Sequence, residues 1–280
     1  MTSFLRVLLA VCLGLPGISH AQNECLAMSY NIRYDNPGDQ DNAWPVRKDL
    51  LIDQILFYEP DVLGIQEGLH HQVEAMQQRL TDYQYVGVGR DDGHQKGEYS
   101  AIFFKKEKYK VLESGTFWLS ETPDTVSTGW DAALPRICTF VHLKNQATQD
   151  SFWVFNTHFD HIGEQARLNS SKLILEQIKK RVKGEHTSLL LGDFNSTPDS
   201  PAYALLSGTL KDASQASETG HFGPVGTFNG FEFHQPVEKQ IDYVFSSPNT
   251  QVKKQATLSD SVDCHYPSDH LPVLALIQWL

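Results

Sequence analysis

Short apolar runs recur along the chain, each bracketed by turn-forming residues: Leu26–Ile32, Val62–Ile65, Tyr85–Val88, Ser100–Phe104, Ile137–Leu143, Phe152–Phe155, Ser188–Leu191, Ile241–Phe245 and Val273–Ile277. Runs of this length and composition read as strands. Longer stretches carry helical spacing instead. Between Val46 and Tyr58, Leu50, Leu51, Ile55 and Leu56 make one apolar face, and between Glu164 and Val182 the same is true of Leu168, Leu175, Ile178 and Val182. A third helix-like stretch runs from His71 to Leu80. Strands alternate with helices early and succeed one another as hairpin-like pairs later, which predicts an α/β protein with mixed sheets. No repeat, linker or low-complexity tract interrupts residues 22–280, so they are expected to form one domain.

The first residues break the pattern. Arg6 is succeeded by the apolar run Val7–Leu15 and by Ser19-His20-Ala21, a small-x-small cleavage site. That apolar run is too short for a membrane span. Residues 1–21 therefore read as a secretory signal peptide, and the remainder as a secreted or periplasmic protein with no membrane span. Cys25, Cys138 and Cys264 lie beyond that segment without C-x-x-C or Cys/His zinc spacing, so buried, unreactive thiols are expected.

The most informative positions are the ends of the strands. Leu26–Tyr30 leads into Asn31, Val62–Ile65 into Gln66-Glu67, Phe152–Phe155 into Asn156-Thr157-His158, and Ser188–Leu191 into Gly192-Asp193-Phe194-Asn195. Ser268-Asp269-His270 precedes the last strand. One such ending is a common turn. Several, all Asn, Asp, Glu or His, point to groups converging at one sheet edge, where rigid strand ends support a site.

Charge limits the partner. The 280 residues contain 34 Asp and Glu against 23 Lys and Arg, a formal net charge of -11. High-affinity, non-specific polynucleotide binding is driven by counterion release from a basic surface, and this composition argues against it. It does not exclude an enzyme that meets phosphate through a metal.

The oxygens of Asn31, Glu67, Asp193, Asn195 and Asp269 suit a hard divalent cation such as Mg²⁺. His158 and His270 suit a general acid and base, each needing a carboxylate to orient it. Glu98, in Gly97-Glu98-Tyr99, and Asp242, in Ile241-Asp242-Tyr243, are the candidate orienters, because an acid inside an apolar strand is costly unless paired. Arg136 heads an apolar strand and could hold phosphate oxygens.

With these residues in place, the chain resembles the endonuclease/exonuclease/phosphatase superfamily with a DNase I-like fold. The matching segments are Tyr30-Asn31-Ile32-Arg33, Ile65-Gln66-Glu67, Asn156-Thr157-His158-Phe159, Gly192-Asp193-Phe194-Asn195, Ile241-Asp242-Tyr243-Val244 and Ser268-Asp269-His270-Leu271-Pro272-Val273. The resemblance implies a four-layer sandwich of two mixed β-sheets flanked by helices, and Mg²⁺- or Mn²⁺-dependent cleavage of phosphoester bonds. It implies Glu67 as main metal ligand, helped by Asn31 and Asp269, with Asp193 and Asn195 holding the attacking water and the phosphate. It further implies His270 paired with Asp242 as base or phosphate-polarising group, His158 paired with Glu98 as acid on the leaving side, and Arg136 on the phosphate. In this superfamily a second acid often stands two residues after the first Asn. Arg33 stands there instead, which suggests a basic contact to substrate.

Plainer readings accompany these. His70-His71 reads as a solvated helix pair, and His158-x-x-His161 lacks the upstream His of a di-zinc site, Asn156 being there. The Gly87–Gly93 segment lacks a Walker lysine, so it reads as a turn or as a substrate-lining loop through Arg90. Trp44, Trp118, Trp130 and Phe228–Phe231 anchor loops or stack on a base or sugar. The expected function is hydrolysis of a small or surface phosphate (a sugar phosphate, nucleotide or phosphoinositide head group) by a monomer. An extracellular nuclease and a non-catalytic binding protein are the alternatives.

Overall fold

The computed structural model describes residues 23–184 and 186–279, and the expected signal segment 1–21 lies outside them. In chain order the elements are β1 (Asn23–Asn31), α1 (Trp44–Tyr58), β2 (Val62–Gln66), α2 (His70–Arg79), β3 (Tyr83–Val86), β4 (Ile102–Lys105), β5 (Tyr109–Trp118), β6 (Ile137–Asn145) and β7 (Ser151–His158). They continue with α3 (Glu164–Arg181), β8 (Thr187–Asp193), α4 (Pro201–Ser207), β9 (Lys211–Asp212), α5 (Ala213–Ala216), β10 (His221–Phe222), β11 (Asp242–Ser246), β12 (Thr250–Thr257) and β13 (Val273–Trp279). One sheet has the order β10-β12-β13-β1-β2-β4-β3, the other β5-β6-β7-β8-β11-β9. Both are mixed: β1–β2 and β7–β8 run parallel, and β13–β1 and β8–β11 antiparallel.

The two-residue period of the strands builds the layers. In β1, Cys25 and Ala27 face Val154, Leu191 and Val244 of the other sheet, while Met28 and Tyr30 face the opposite way, onto Leu51, Ile55, Val73 and Met76 of α1 and α2. On the far side Phe140, Phe155 and Phe245 pack with Ile174 and Ile178 of α3 and Leu206 of α4. Helices, sheet, sheet and helices thus form a four-layer sandwich with both sheets covered.

Some elements differ from expectation. In α1 the inward face is Leu51, Ile52 and Ile55, with Leu56 turned to solvent. In α3, Ile174 and Ile178 are buried, while Leu168, Leu175 and Val182 are half-buried. β3 begins at Tyr83 and ends at Val86. β5 and β12 escape an apolar-run search because their sequences, YKVLESGTFW and TQVKKQAT, are polar on the exposed face, as suits strands at or beside a sheet edge. Cys25 and Cys138 are buried thiols, but Cys264 is exposed, contrary to the expectation for all three.

Register brings the strand ends together. Asn31 pairs with Gln66, His158 with Asp193, and Asp193 with Asp242. Asn156 ties the two sheets just below this edge. Its amide donates to the carbonyls of Ile65 (2.8 Å) and Ala101 (2.9 Å), and its Oδ1 accepts from Gln66 Nε2 at 2.7 Å. Gly64 makes room for it, since a Cβ there would lie 2.6 Å from Asn156 Oδ1.

Candidate active site

Asp193, at the end of β8, is the hub. Its Oδ1 accepts from the Asn195 N–H at 2.8 Å, a local turn that places Asn195 at φ 45. Its Oδ2 accepts from Asn31 Nδ2 at 3.0 Å and lies 3.5 Å from His158 Nε2 and 3.8 Å from His270 Nε2. Burial, reinforced by the neighbouring Asp242 carboxylate, pushes the Asp193 carboxyl up to about 7.

Glu67, just after β2, sits in the left-handed region at φ 64. Its Oε1 accepts from Asn31 Nδ2 (3.0 Å) and its Oε2 from the Tyr34 N–H (3.1 Å). Asn31 therefore turns its NH₂ to both carboxylates, while its Oδ1 accepts from the Arg33 N–H at 3.0 Å. Arg33, at φ 55, places its guanidinium 2.9 Å from Asp39 and 3.7 Å from Asp269. A non-glycine residue held at positive φ costs on the order of 1–3 kcal/mol, and such residues gather where geometry matters for function.

Two loops are pinned behind these groups. Buried Arg47 of α1 donates to the carbonyls of Ile32, Arg33 and Pro267. Ser268 Oγ donates to the Asn31 carbonyl at 2.7 Å, and the N–H groups of Asn229 and Gly230 donate to the carbonyl of Asp269. His270 meets Asp242 Oδ2 through Nδ1 at 2.8 Å. Burial alone would lower its pKa, but Asp242, Asp193 and Asp269 together raise it to about 10, so the ring is an imidazolium at neutral pH. The edge of Phe228 packs on it with ring centroids 5.1 Å apart.

His158 has the opposite environment. Burial, with Arg136 and Arg90 nearby, holds its pKa well below the usual imidazole range. Its Nε2 lies 3.1 Å from Asn195 Nδ2, and its Nδ1 has no hydrogen-bond partner among the described residues. Glu98, the expected orienter, approaches that nitrogen only to 3.8 Å, beyond a hydrogen bond, because both of its oxygens are taken by Arg90 at 2.6 and 2.9 Å. Burial nonetheless pushes the Glu98 carboxyl up to about 7. Arg136 meets Asp160 (Nε, 3.3 Å) and His161 Nδ1 (Nη2, 3.0 Å), leaving its buried Nη1 without a partner among the described residues.

These groups line a cavity of about 660 Å³. Of the sequence-derived candidates, Glu67, Glu98, Arg33, Arg136, His158, Asp193, Asn195, Asp269 and His270 line it. Asn31 and Asp242 sit behind it as hydrogen-bond partners of lining residues. Arg90 does not line it; its two terminal nitrogens are engaged by Glu98, and its buried Nε has no hydrogen-bond partner among the described residues. Carboxylate oxygens of Glu67 and Asp193 and a ring nitrogen of His270 lie within 4.8 Å of one another, while Asn31 turns its NH₂ to both carboxylates and Asp269 lies 3.7 Å from Arg33. Sequence reading missed Lys239, Tyr34, Thr227 and Asp160 at or behind the cavity. It set His161 aside as half of a weak zinc motif, although its nearness to His158 was a usable signal.

The chain belongs to the endonuclease/exonuclease/phosphatase family, whose model matches residues 28–270. The fold is that of a family member from Bacteroides vulgatus, 40% identical with TM-score 0.89, over 92% of this chain and 100% of that one. The mannosyl-6-phosphatase of Bacteroides thetaiotaomicron VPI-5482 is 39% identical with TM-score 0.86, over 90% of this chain and 98% of that one. Among curated proteins, an uncharacterized protein of Acanthamoeba polyphaga mimivirus is 32% identical over 84% of this chain and 92% of its own. The Ccr4 3'-5'-exoribonuclease subunit of Mycosarcoma maydis is 21% identical, matching 89% of this chain but 49% of its own length. The family thus includes phosphatases and nucleases. No described helix is long and apolar enough to cross a membrane.

Proposed function

We propose that this protein is a divalent-metal-dependent phosphomonoesterase acting on a small phosphorylated substrate of the sugar-phosphate class. The observation that carries this reading is the buried Nη1 of Arg136, without a partner among the described residues, at a cavity that also holds the Glu67–Asp193–His270 cluster. A buried donor without a partner calls for an acceptor, and a guanidinium fits phosphate oxygens. The likeness to a mannosyl-6-phosphatase along nearly the whole chain supports a sugar phosphate over a polynucleotide, as does the net charge of -11.

The donor set fits a hard divalent cation: two carboxylates, Glu67 and Asp193, stand within ligand distance of one another. We assign Glu67 as principal ligand and Asp193 as its companion, with Asp269 nearby. Magnesium or manganese held there would neutralise phosphate charge and lower the pKa of water for attack. Arg136 Nη1 would bind a phosphate oxygen, with Arg33 and Lys239 adding positive charge around it. His270, fixed by Asp242, would offer its Nε2 proton to the phosphate. His158, kept neutral by burial and the nearby arginines, would stand beside Asn195 as a hydrogen-bond partner of the leaving oxygen, which would take its proton from water. Such positioning and charge neutralisation is most of what phosphoryl transfer requires.

The test is a Mg²⁺/Mn²⁺ panel of hexose phosphates, p-nitrophenyl phosphate, bis-p-nitrophenyl phosphate, phosphoinositides, RNA and plasmid DNA. Phosphate release from hexose phosphates, abolished by EDTA, is the expected result. Efficient plasmid nicking at physiological salt without release from any monoester would overturn it in favour of a nuclease, a reading that the aromatic rings of Phe228 and Phe231 at the cavity would suit.

A further inference from the structure

A second concavity, about 490 Å³ in volume, adjoins the catalytic one and shares His161, Asn195 and Lys239 with it. We propose that it receives the alcohol portion of the substrate, and that this portion extends into an uncharged, hydroxyl-rich group: a second sugar unit of a phosphorylated glycan. This rests on the phosphomonoesterase reading and narrows its substrate class.

The shared residues fix the position. Asn195 Nδ2 lies 3.1 Å from His158 Nε2, and His161 Nδ1 lies 3.0 Å from Arg136 Nη2. A phosphate placed beside Arg136 and His158 therefore has the mouth of the second concavity next to it, on the side where His158 meets the leaving oxygen. The remaining wall comes from the first turns of α3 and from residues 196–202.

The chemistry of the wall selects the occupant. Among the described residues no Phe, Tyr or Trp lines it, so they offer no stacking platform of the kind a nucleobase uses. Its apolar side chains are Leu168, Pro201 and Ala202, too few to hold a lipid chain. Glu164 and Asp199 balance Arg167 and Lys239, so a second phosphate gains little there. The rest is a mixture of charged, amide and hydroxyl groups able to donate and accept, which is the complement of sugar hydroxyls. The side chains of Glu164 and Gln165 form no hydrogen bond or ion pair among the described residues and are open to a ligand. Ser196, 3% exposed, lines the same concavity and has a hydroxyl without a partner among the described residues.

The test compares steady-state kinetics on a hexose 6-phosphate and on the same unit bearing a second hexose in glycosidic linkage. Both are measured for the wild-type enzyme and for a Glu164→Ala, Gln165→Ala double variant, whose altered side chains are exposed and outside the core. The expected wild-type result is a kcat/KM about tenfold or more higher for the disaccharide, falling to less than about threefold in the double variant, as loss of hydrogen bonds to substrate hydroxyls dictates. Equal kcat/KM for the two substrates in the wild type, or an advantage that survives in the variant, overturns the subsite while the phosphomonoesterase reading stands. A wild-type enzyme that cleaves neither sugar phosphate but cleaves DNA overturns both.

Discussion

His270 and Asp242 meet through Nδ1 and Oδ2 at 2.8 Å, and the same carboxylate oxygen accepts the Thr227 hydroxyl at 2.6 Å. Both partners are buried, so the contact fixes the ring's orientation and keeps it charged without competition from water. Asp242→Asn preserves shape but removes the charge. It is expected to lower kcat by roughly 10²–10⁴, with KM changed far less. Steady-state kinetics on a hexose phosphate decides this, and a loss below tenfold would remove Asp242 from the orienting role.

Cation binding should depend on Glu67. Glu67→Gln keeps the side chain's volume and one acceptor oxygen but removes the charge that a hard cation requires. Activity is expected to fall by roughly 10² or more, and saturable Mn²⁺ binding by calorimetry to weaken strongly. Wild-type activity in excess EDTA equal to that in Mg²⁺ would refute metal dependence altogether.

The Asn156 tie is a stability prediction independent of catalysis. Gly64→Ala would place a Cβ 2.6 Å from Asn156 Oδ1 and 3.0 Å from Leu191 Cδ1, forcing the two sheets apart locally. A cost of about 1–3 kcal/mol is expected from such overpacking. Asn156→Leu should cost a similar amount or more, because it removes the amide donor to the Ile65 carbonyl and the 2.7 Å acceptor of Gln66 Nε2, although the Ala101 carbonyl keeps the Ile65 N–H. Urea denaturation measures both, and a Gly64→Ala midpoint equal to that of wild type would show that the clash is absorbed.

Asp160 carries an acid-stability signature. Burial raises its pKa, but N–H groups from Gly163 and Ile162, together with Arg136, outweigh this and hold it at about 2. The folded value lies below the unfolded value of about 3.9, so the stabilisation is present above roughly pH 4 and is lost as pH falls toward 2. Asp160→Asn should be less stable than wild type at pH 7, and the gap should narrow between pH 4 and pH 2. A gap that is constant across that range would exclude the linkage.

Much of the architecture could be read from local pattern. Runs such as Val62–Ile65 and Ser188–Leu191 read as strands from their apolar content, and the β2 and β8 that form there are buried along their whole length between the layers. The polar residues that end β1, β2, β7 and β8 were visible for the same reason: each comes directly after an apolar run. Polar strands such as β12, whose sequence includes Lys253 and Lys254, carried no such signal, because at a sheet margin the ladder rather than apolar burial defines the strand.

What the sequence by itself determined was a layered α/β chain with acids, amides and histidines stationed at strand ends. Only the tertiary structure decided which of them meet. Asn31 and Asp193 are 162 residues apart in the chain and 3.0 Å apart in space, a relation set by strand order and register that no local spacing encodes. Tertiary packing also turned Arg90 onto Glu98 and left Arg136 Nη1 unpartnered among the described residues, although both arginines read as substrate contacts in the sequence. The physical reason is that burial is written into local periodicity, whereas electrostatic partnership depends on distances of a few ångströms between segments that only the closed sandwich brings together.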